Sequence, residues 1–225
     1  MAPLPATAVI REVGLRDGLQ SIATVLPTGR KRQWVAAAWA AGQREIEVGS
    51  FVPPRLLPQM ADVPAVVQHA LQHPGLTVMA LVPNRRGAEA AFASGVHKIT
   101  LPVSASEAHS LANVRKTREQ MLDELRAVLA LRRDTAPQVR VEVGLSTAFG
   151  CTLQGAVDAD DVIRLAVACA EAGVDEVGLS DTSGMAHPLQ VRRLFTRLRA
   201  ELGERAGAAH MHNTRGLGLA NCLAA

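Results

Sequence analysis

An α/β protein of the TIM (β/α)8-barrel class, with its eighth βα unit missing, is the fold this 225-residue sequence predicts. Three observations predict it. Short β-branched runs alternate with longer helical patterns from end to end. Several helical patterns stop at a Gly followed directly by a strand, as in the short αβ loops of such units. Polar residues gather just after the strands, where barrel enzymes build their sites. A doubly wound open sheet is the alternative arrangement of the same alternation.

The predicted strands are Ala8–Val13, Glu45–Val48, Thr77–Leu81, Lys98–Val103, Val139–Leu145, Glu176–Leu179 and Ala208–His212. Helices are predicted over Gly29–Ala41, Ala61–Gln72, Arg86–Ser94, Val114–Arg133, Asp158–Ala172 and Pro188–Leu202, with a seventh, Thr214–Ala225, cut short. Gly42, Gly95, Gly173 and Gly203 follow the apolar periodicity as helix stops. No low-complexity linker interrupts the pattern, so residues 1–225 are expected to form one domain, incomplete at the C-terminus.

Composition narrows the class. Hydrophobic residues make up 48% and charged residues 20%, ordinary values for a globular chain. Aromatics are only 3% with no Tyr, so the core must be Ala, Val and Leu, and base-stacking surfaces for nucleic acid are not expected. The net charge of +3 is spread along the chain, which suits a solvated surface and tolerates an anionic substrate. Three cysteines without metal-type spacing argue for a reducing, cytoplasmic setting. The N-terminus lacks a basic segment followed by an apolar run, and no stretch reaches 18 apolar residues, so neither a secretory signal nor a membrane partner is expected.

The chemistry sits at the strand ends. After the first strand comes Gly14-Leu15-Arg16-Asp17-Gly18-Leu19-Gln20, where a charged pair needs partners; an ion pair holding a loop is the plain alternative. On the second strand Glu45 and Glu47 share a face by alternation, followed by Ser50-Phe51-Val52. The seventh ends in His210-Met211-His212-Asn213, whose two imidazoles project to one side and, with a carboxylate such as Asp17, suit Mn²⁺, Mg²⁺, Co²⁺ or Zn²⁺. Asp181, after the sixth strand, either caps the next helix or holds a ligand histidine from behind. Arg85 and Arg86 either meet phosphates or form a solvated turn, and Cys151 reads as a buried small hydrophobe.

VGLRDGLQ, EVGSFVPPRLLPQMAD, PNRRG, LSDTSG and HMHN, in this order along essentially the whole chain, resemble the 3-hydroxy-3-methylglutaryl-CoA lyase family of metal-dependent TIM-barrel enzymes. The Arg-Asp-Gly-x-Gln and His-x-His elements are shared with isopropylmalate, homocitrate and citramalate synthases, whereas Ser50-Phe51-Val52 with Pro58-Gln59-Met60-Ala61-Asp62 looks specific to the lyases. The resemblance implies a divalent metal, Mg²⁺ or Mn²⁺ first, held by Asp17, His210 and His212. It implies Arg16 on the thioester carbonyl and the developing enolate, with Gln20 and Ser50 also at the substrate. Glu47 would assist, Asp181 would stand behind the ligands, and His210 or Asp17 would act as base. The implied reaction is retro-Claisen cleavage of a 3-hydroxyacyl-CoA to acetyl-CoA and a ketoacid, by an expected homodimer. A 2-oxoacid–acetyl-CoA condensing synthase and an inactive fragment are the competing readings.

Two departures from the family pattern carry expectations. The Gly-rich loop with a catalytic cysteine and the asparagine ligand that follow in the family are not reached, so the 225 residues alone are expected to be weakly active or inactive. Where the family resembled carries a tyrosine on the fifth strand this sequence has Gly144, which implies a larger acyl pocket.

Overall fold

The computed structural model describes residues 7–225; residues 1–6, part of the segment read above as carrying no secretory signal, lie outside the described residues. Seven strands lie in one sheet in chain order, β1 (Arg11–Glu12), β2 (Glu45–Ser50), β3 (Thr77–Leu81), β4 (Lys98–Ser104), β5 (Arg140–Ser146), β6 (Glu176–Asp181) and β7 (Ala206–Met211). The pairs β1–β2, β2–β3, β5–β6 and β6–β7 are parallel. A doubly wound sheet reverses its strand order at a switch point; this one never does, which is barrel topology.

Two compact units divide the described residues, one running up to residue 82 and including 86–99, the other made of residues 83–85 and 100–225. In the first, α1 (Thr28–Ala40) and α2 (Val63–Ala70) bury Val35, Val63, Val66 and Val67, and β2 and β3 bury Ile46, Val48 and Val78. Gly49 has a packing reason: a Cβ there would collide with the Val63 side chain. The second unit holds α4 (Glu107–Val114), α5 (Arg118–Thr135), α6 (Ala159–Ala172), α7 (Pro188–Leu202) and α8 (Gly218–Ala224); α3 is Arg85–Ala93. In β5 and β6, Val141, Val143, Leu145, Val177 and Leu179 are fully buried, and α6 and α7 bury Val162, Ala166, Cys169, Val191, Leu194 and Leu198. Each Val or Leu removed from water contributes about 1.5–3 kcal/mol. The alternate positions Glu142, Gly144, Ser146 and Gly178, Ser180 are polar or small and face the other way.

The predicted elements are all present, with corrected bounds. The first strand is two residues rather than six, because Val9 and Ile10 stay exposed at 76% and 73% and pair with nothing in a ladder. The single helix predicted over Val114–Arg133 is two. Arg115 turns left-handed (φ 57°) and ends α4, and Thr117 with Gln120 forms a capping box that starts α5. The segment after β7 becomes helical only at Gly218, not Thr214.

Candidate active site

In the first unit the loop after β1 winds through a π turn, Gly14–Gly18, with Leu15 and Leu19 buried at 0% and 3% exposure. These two leucines anchor the turn, so Arg16 and Asp17 between them are presented at its surface. Arg16 Nε donates to Glu47 Oε2 at 2.6 Å, and its Nη1 donates to Asp17 Oδ1 at 2.6 Å. The Glu47 side chain is 2% exposed and Arg16 12%, so this is a desolvated pair rather than a surface one. Glu45 lies below, bonded to Arg11 at 2.7 Å.

Glu47 Oε1 and Ser50 Oγ are buried with no hydrogen-bond partner among the described residues. Orphaned buried acceptors are costly, and a ligand's donors are what would satisfy them. The β2–β3 register shifts between Glu47 and Ser50, the bulge that re-aims a side chain at a strand end. Gln20, by contrast, is exposed.

In the second unit, β7 places His210 and, just past its end, His212, with ring centroids 5.0 Å apart and the two Nε2 atoms separated by 3.1 Å. His212 Nδ1 lies 2.8 Å from the Thr182 carbonyl. A carbonyl only accepts, so Nδ1 carries the proton and Nε2 presents a bare lone pair. Zinc, for one, holds imidazole nitrogen at about 2.0–2.1 Å, so two nitrogens 3.1 Å apart are within reach of a single ion. The imidazole pair could therefore share one divalent ion.

Asp181 is fully buried, yet it neither caps α7 nor supports an imidazole. Its oxygens accept from Met185 N at 2.9 Å and Ala186 N at 3.0 Å, which closes the turn after β6. The cap of α7 is His187, and the group behind His212 is a backbone carbonyl. Both alternatives weighed for Asp181 are thus corrected: two N–H groups within five residues outcompete a more distant ring.

Sequence reasoning missed Thr182, Thr147 and Ser106. Thr147 N donates to Thr182 Oγ1 at 2.8 Å, and Ser106 N donates to Thr147 Oγ1 at 3.2 Å. These bonds join residues 35 and 41 apart in the chain, a relation no periodicity carries. Cys151, buried as expected, sits nearby in this loop cluster. Burial raises its thiol pKa, but bonds from Ser106 and the Leu153 and Gln154 backbone outweigh that and hold it below the ordinary value.

With this geometry in place, comparison with known proteins decides the family. A family model described as HMGL-like matches residues 8–225. The chain belongs to the HMGL-like family. It is 37% identical over 224 residues to the hydroxymethylglutaryl-CoA lyase YngG of Bacillus subtilis, covering 99% of this chain and 74% of that protein. It is 38% identical over 221 residues to a 3-hydroxy-3-isohexenylglutaryl-CoA/hydroxy-methylglutaryl-CoA lyase of Pseudomonas aeruginosa, covering 98% and 73%. The crystal structure of hydroxymethylglutaryl-CoA lyase from Pseudomonas aeruginosa superposes with a TM-score of 0.92 at 39% identity, covering 98% of this chain and 73% of that one. The TIM-barrel fold expected from the strand–helix alternation is that of these HMGL-like lyases, with seven of its strands described here.

Proposed function

We propose that this chain is a divalent-metal-dependent carbon–carbon lyase that cleaves 3-hydroxy-3-methylglutaryl-CoA, or a close 3-hydroxyacyl-CoA, to acetyl-CoA and a ketoacid, with Asp17, His210 and His212 as metal ligands. The observation that carries it is the imidazole pair, Nε2 atoms 3.1 Å apart, at the end of β7 in an HMGL-like chain.

The ion, Mg²⁺ or Mn²⁺ before Co²⁺ or Zn²⁺, supplies Lewis acidity to the substrate's oxygens when bound. The rest is work for the side chains. His210 or Asp17 takes the proton from the tertiary hydroxyl. The oxygen's electron pair closes the ketone, the carbon–carbon bond breaks, and its pair passes to the thioester as an enolate, which then takes a proton. Arg16 is pinned by Glu47 and Asp17 through Nε and Nη1, which leaves Nη2 to face the thioester oxygen as charge builds. Glu47 acts through Arg16, and Ser50 and Gln20 are placed at the substrate. Gly144, where a Cβ would meet nothing nearer than 3.5 Å, leaves room for a 3-substituent larger than methyl.

A single-domain homodimer in the cytoplasm completes the proposal. No described helix is long and apolar enough to cross a membrane.

The test is Mn²⁺ titration followed by mass spectrometry of products from 3-hydroxy-3-methylglutaryl-CoA. About one Mn²⁺ per chain, lost with His212→Ala, and acetyl-CoA release that also stops in that variant are expected. Free CoA formed from acetyl-CoA and a 2-oxoacid, with no cleavage, would overturn the lyase reading.

A further inference from the structure

We propose that Thr147 is a positioning residue for the ion site: its hydroxyl holds it in a left-handed turn, its N–H anchors Thr182, and Thr182 fixes the imidazole of His212. The inference rests on the proposed role of His212 as a metal ligand.

Thr147 is one of two non-glycine residues with positive φ among those described, at 57°, directly after β5. A β-branched side chain is a poor occupant of that region, so something must hold it there. Its own hydroxyl does. Oγ1 donates to the Ser146 carbonyl at 2.6 Å and accepts from Ser106 N at 3.2 Å, in a site where Thr147 is 1% exposed. The Thr147 N–H, at the start of this left-handed turn, donates to Thr182 Oγ1, 2.8 Å away. On the same residue, the Thr182 carbonyl accepts His212 Nδ1–H at 2.8 Å.

The chain of contacts therefore runs from Ser106 after β4, through Thr147 after β5 and Thr182 after β6, to His212 after β7. Its last contact, with the Thr182 carbonyl, sets the orientation of the His212 ring and where the Nε2 lone pair points. Strain kept at such a place marks a constraint on function rather than on folding, since a glycine would hold the same turn freely.

That difference makes the proposal testable by Mn²⁺ affinity, read from the electron paramagnetic resonance of free Mn²⁺ with the whole chain. Thr147→Val keeps volume but loses the hydroxyl that holds the turn. Thr147→Gly loses volume but adopts positive φ without help. Thr182→Val removes the acceptor and leaves the carbonyl. Thr147→Val and Thr182→Val should each weaken Mn²⁺ binding about 10–100-fold, the range for groups behind a ligand histidine. Thr147→Gly should lose less than Thr147→Val, and the double valine variant should be no worse than the weaker single one.

A packing role predicts the reverse order, because glycine opens a hole that valine fills. Thr147→Gly binding more weakly than Thr147→Val, or Thr182→Val binding as the parent does, overturns the proposal. If Thr147→Val loses its cooperative melt, Thr182→Val alone still decides. A parent chain that binds no Mn²⁺, or binds it equally after His212→Ala, instead sinks the metal reading beneath it.

Discussion

Arg16 Nε and Glu47 Oε2 lie 2.6 Å apart, joining the loop after β1 to the body of β2 with the acid almost wholly out of water. Such a pair contributes little net stability, but each partner depends on the other. Arg16→Met leaves Glu47 as a buried charge without its counterion, and a loss of about 3–5 kcal/mol in urea unfolding is expected. Glu47→Gln keeps the shape and one acceptor, so it should lose less. Equal losses below about 1 kcal/mol, the range of exposed pairs, would show the pair to be solvated.

Lys31 on α1 is 2% exposed, and its ammonium donates to the Gln59 carbonyl and to Asp62 Oδ1. Thr28 Oγ1 donates to the other Asp62 oxygen at 2.7 Å, and the Gln59 amide reaches the Ile22 carbonyl. The Pro58–Asp62 motif is thus a strut between the loops that follow β1 and β2. Lys31→Met should cost on the order of 3 kcal/mol. It should also speed tryptic cleavage after the exposed Arg55, read by mass spectrometry of the fragments. Unchanged cleavage would mean the strut restrains nothing.

Burial pushes the Cys169 thiol up to about 12, against a small opposing pull from Arg126. Its folded value is above the unfolded value of 9.0, so the contribution is complete below pH 9 and is lost as pH rises toward 12. Across that window the unfolded chain releases a proton that the native chain keeps. Stability should fall by about 1.4 kcal/mol per pH unit from this group. Urea titrations between pH 8 and 10.5 with reductant present should show this slope, and Cys169→Ala should remove it. A slope unaltered by that substitution would assign it elsewhere.

At Gly144 on β5, an added Cβ would stand 3.5 Å from Thr100 Cγ2 and 3.9 Å from Ser180 Oγ, ordinary contact distances. Ser180 pairs in register with His210, so this space is one strand away from the position of that residue. Substrates with 3-alkyl groups longer than methyl should be cleaved at comparable rates. Gly144→Phe should shift the preference toward methyl by about 10-fold or more, the scale of added methylene-sized contacts in a pocket. A sharp methyl preference in the parent chain would remove the larger-pocket idea.

Alternation and spacing were enough to place the strands from β2 onward within a few residues, because a strand buried on one side repeats every two residues and its covering helix every 3.6. They failed at β1, whose Val9 and Ile10 look like core and lie in water, and at Arg115, where one left-handed residue divides a helix whose apolar period runs on. Strand pairing settles the first, and the second is settled by the left-handed Arg115 with the Thr117–Gln120 capping box that follows it.

His210 and His212 were on one side of a strand from their spacing alone, and Arg16 and Asp17 were at a strand end from theirs. That much is periodicity, a property each segment carries by itself. Which groups meet was left to the tertiary structure: Glu47 on Arg16, the Thr182 carbonyl on His212, Asp181 on its own turn, and a left-handed Thr147 on Thr182. Hydrogen bonds between loops some 30 residues apart depend on strand register and bulges. Those exist only once neighbouring strands have paired, so no single segment could announce them.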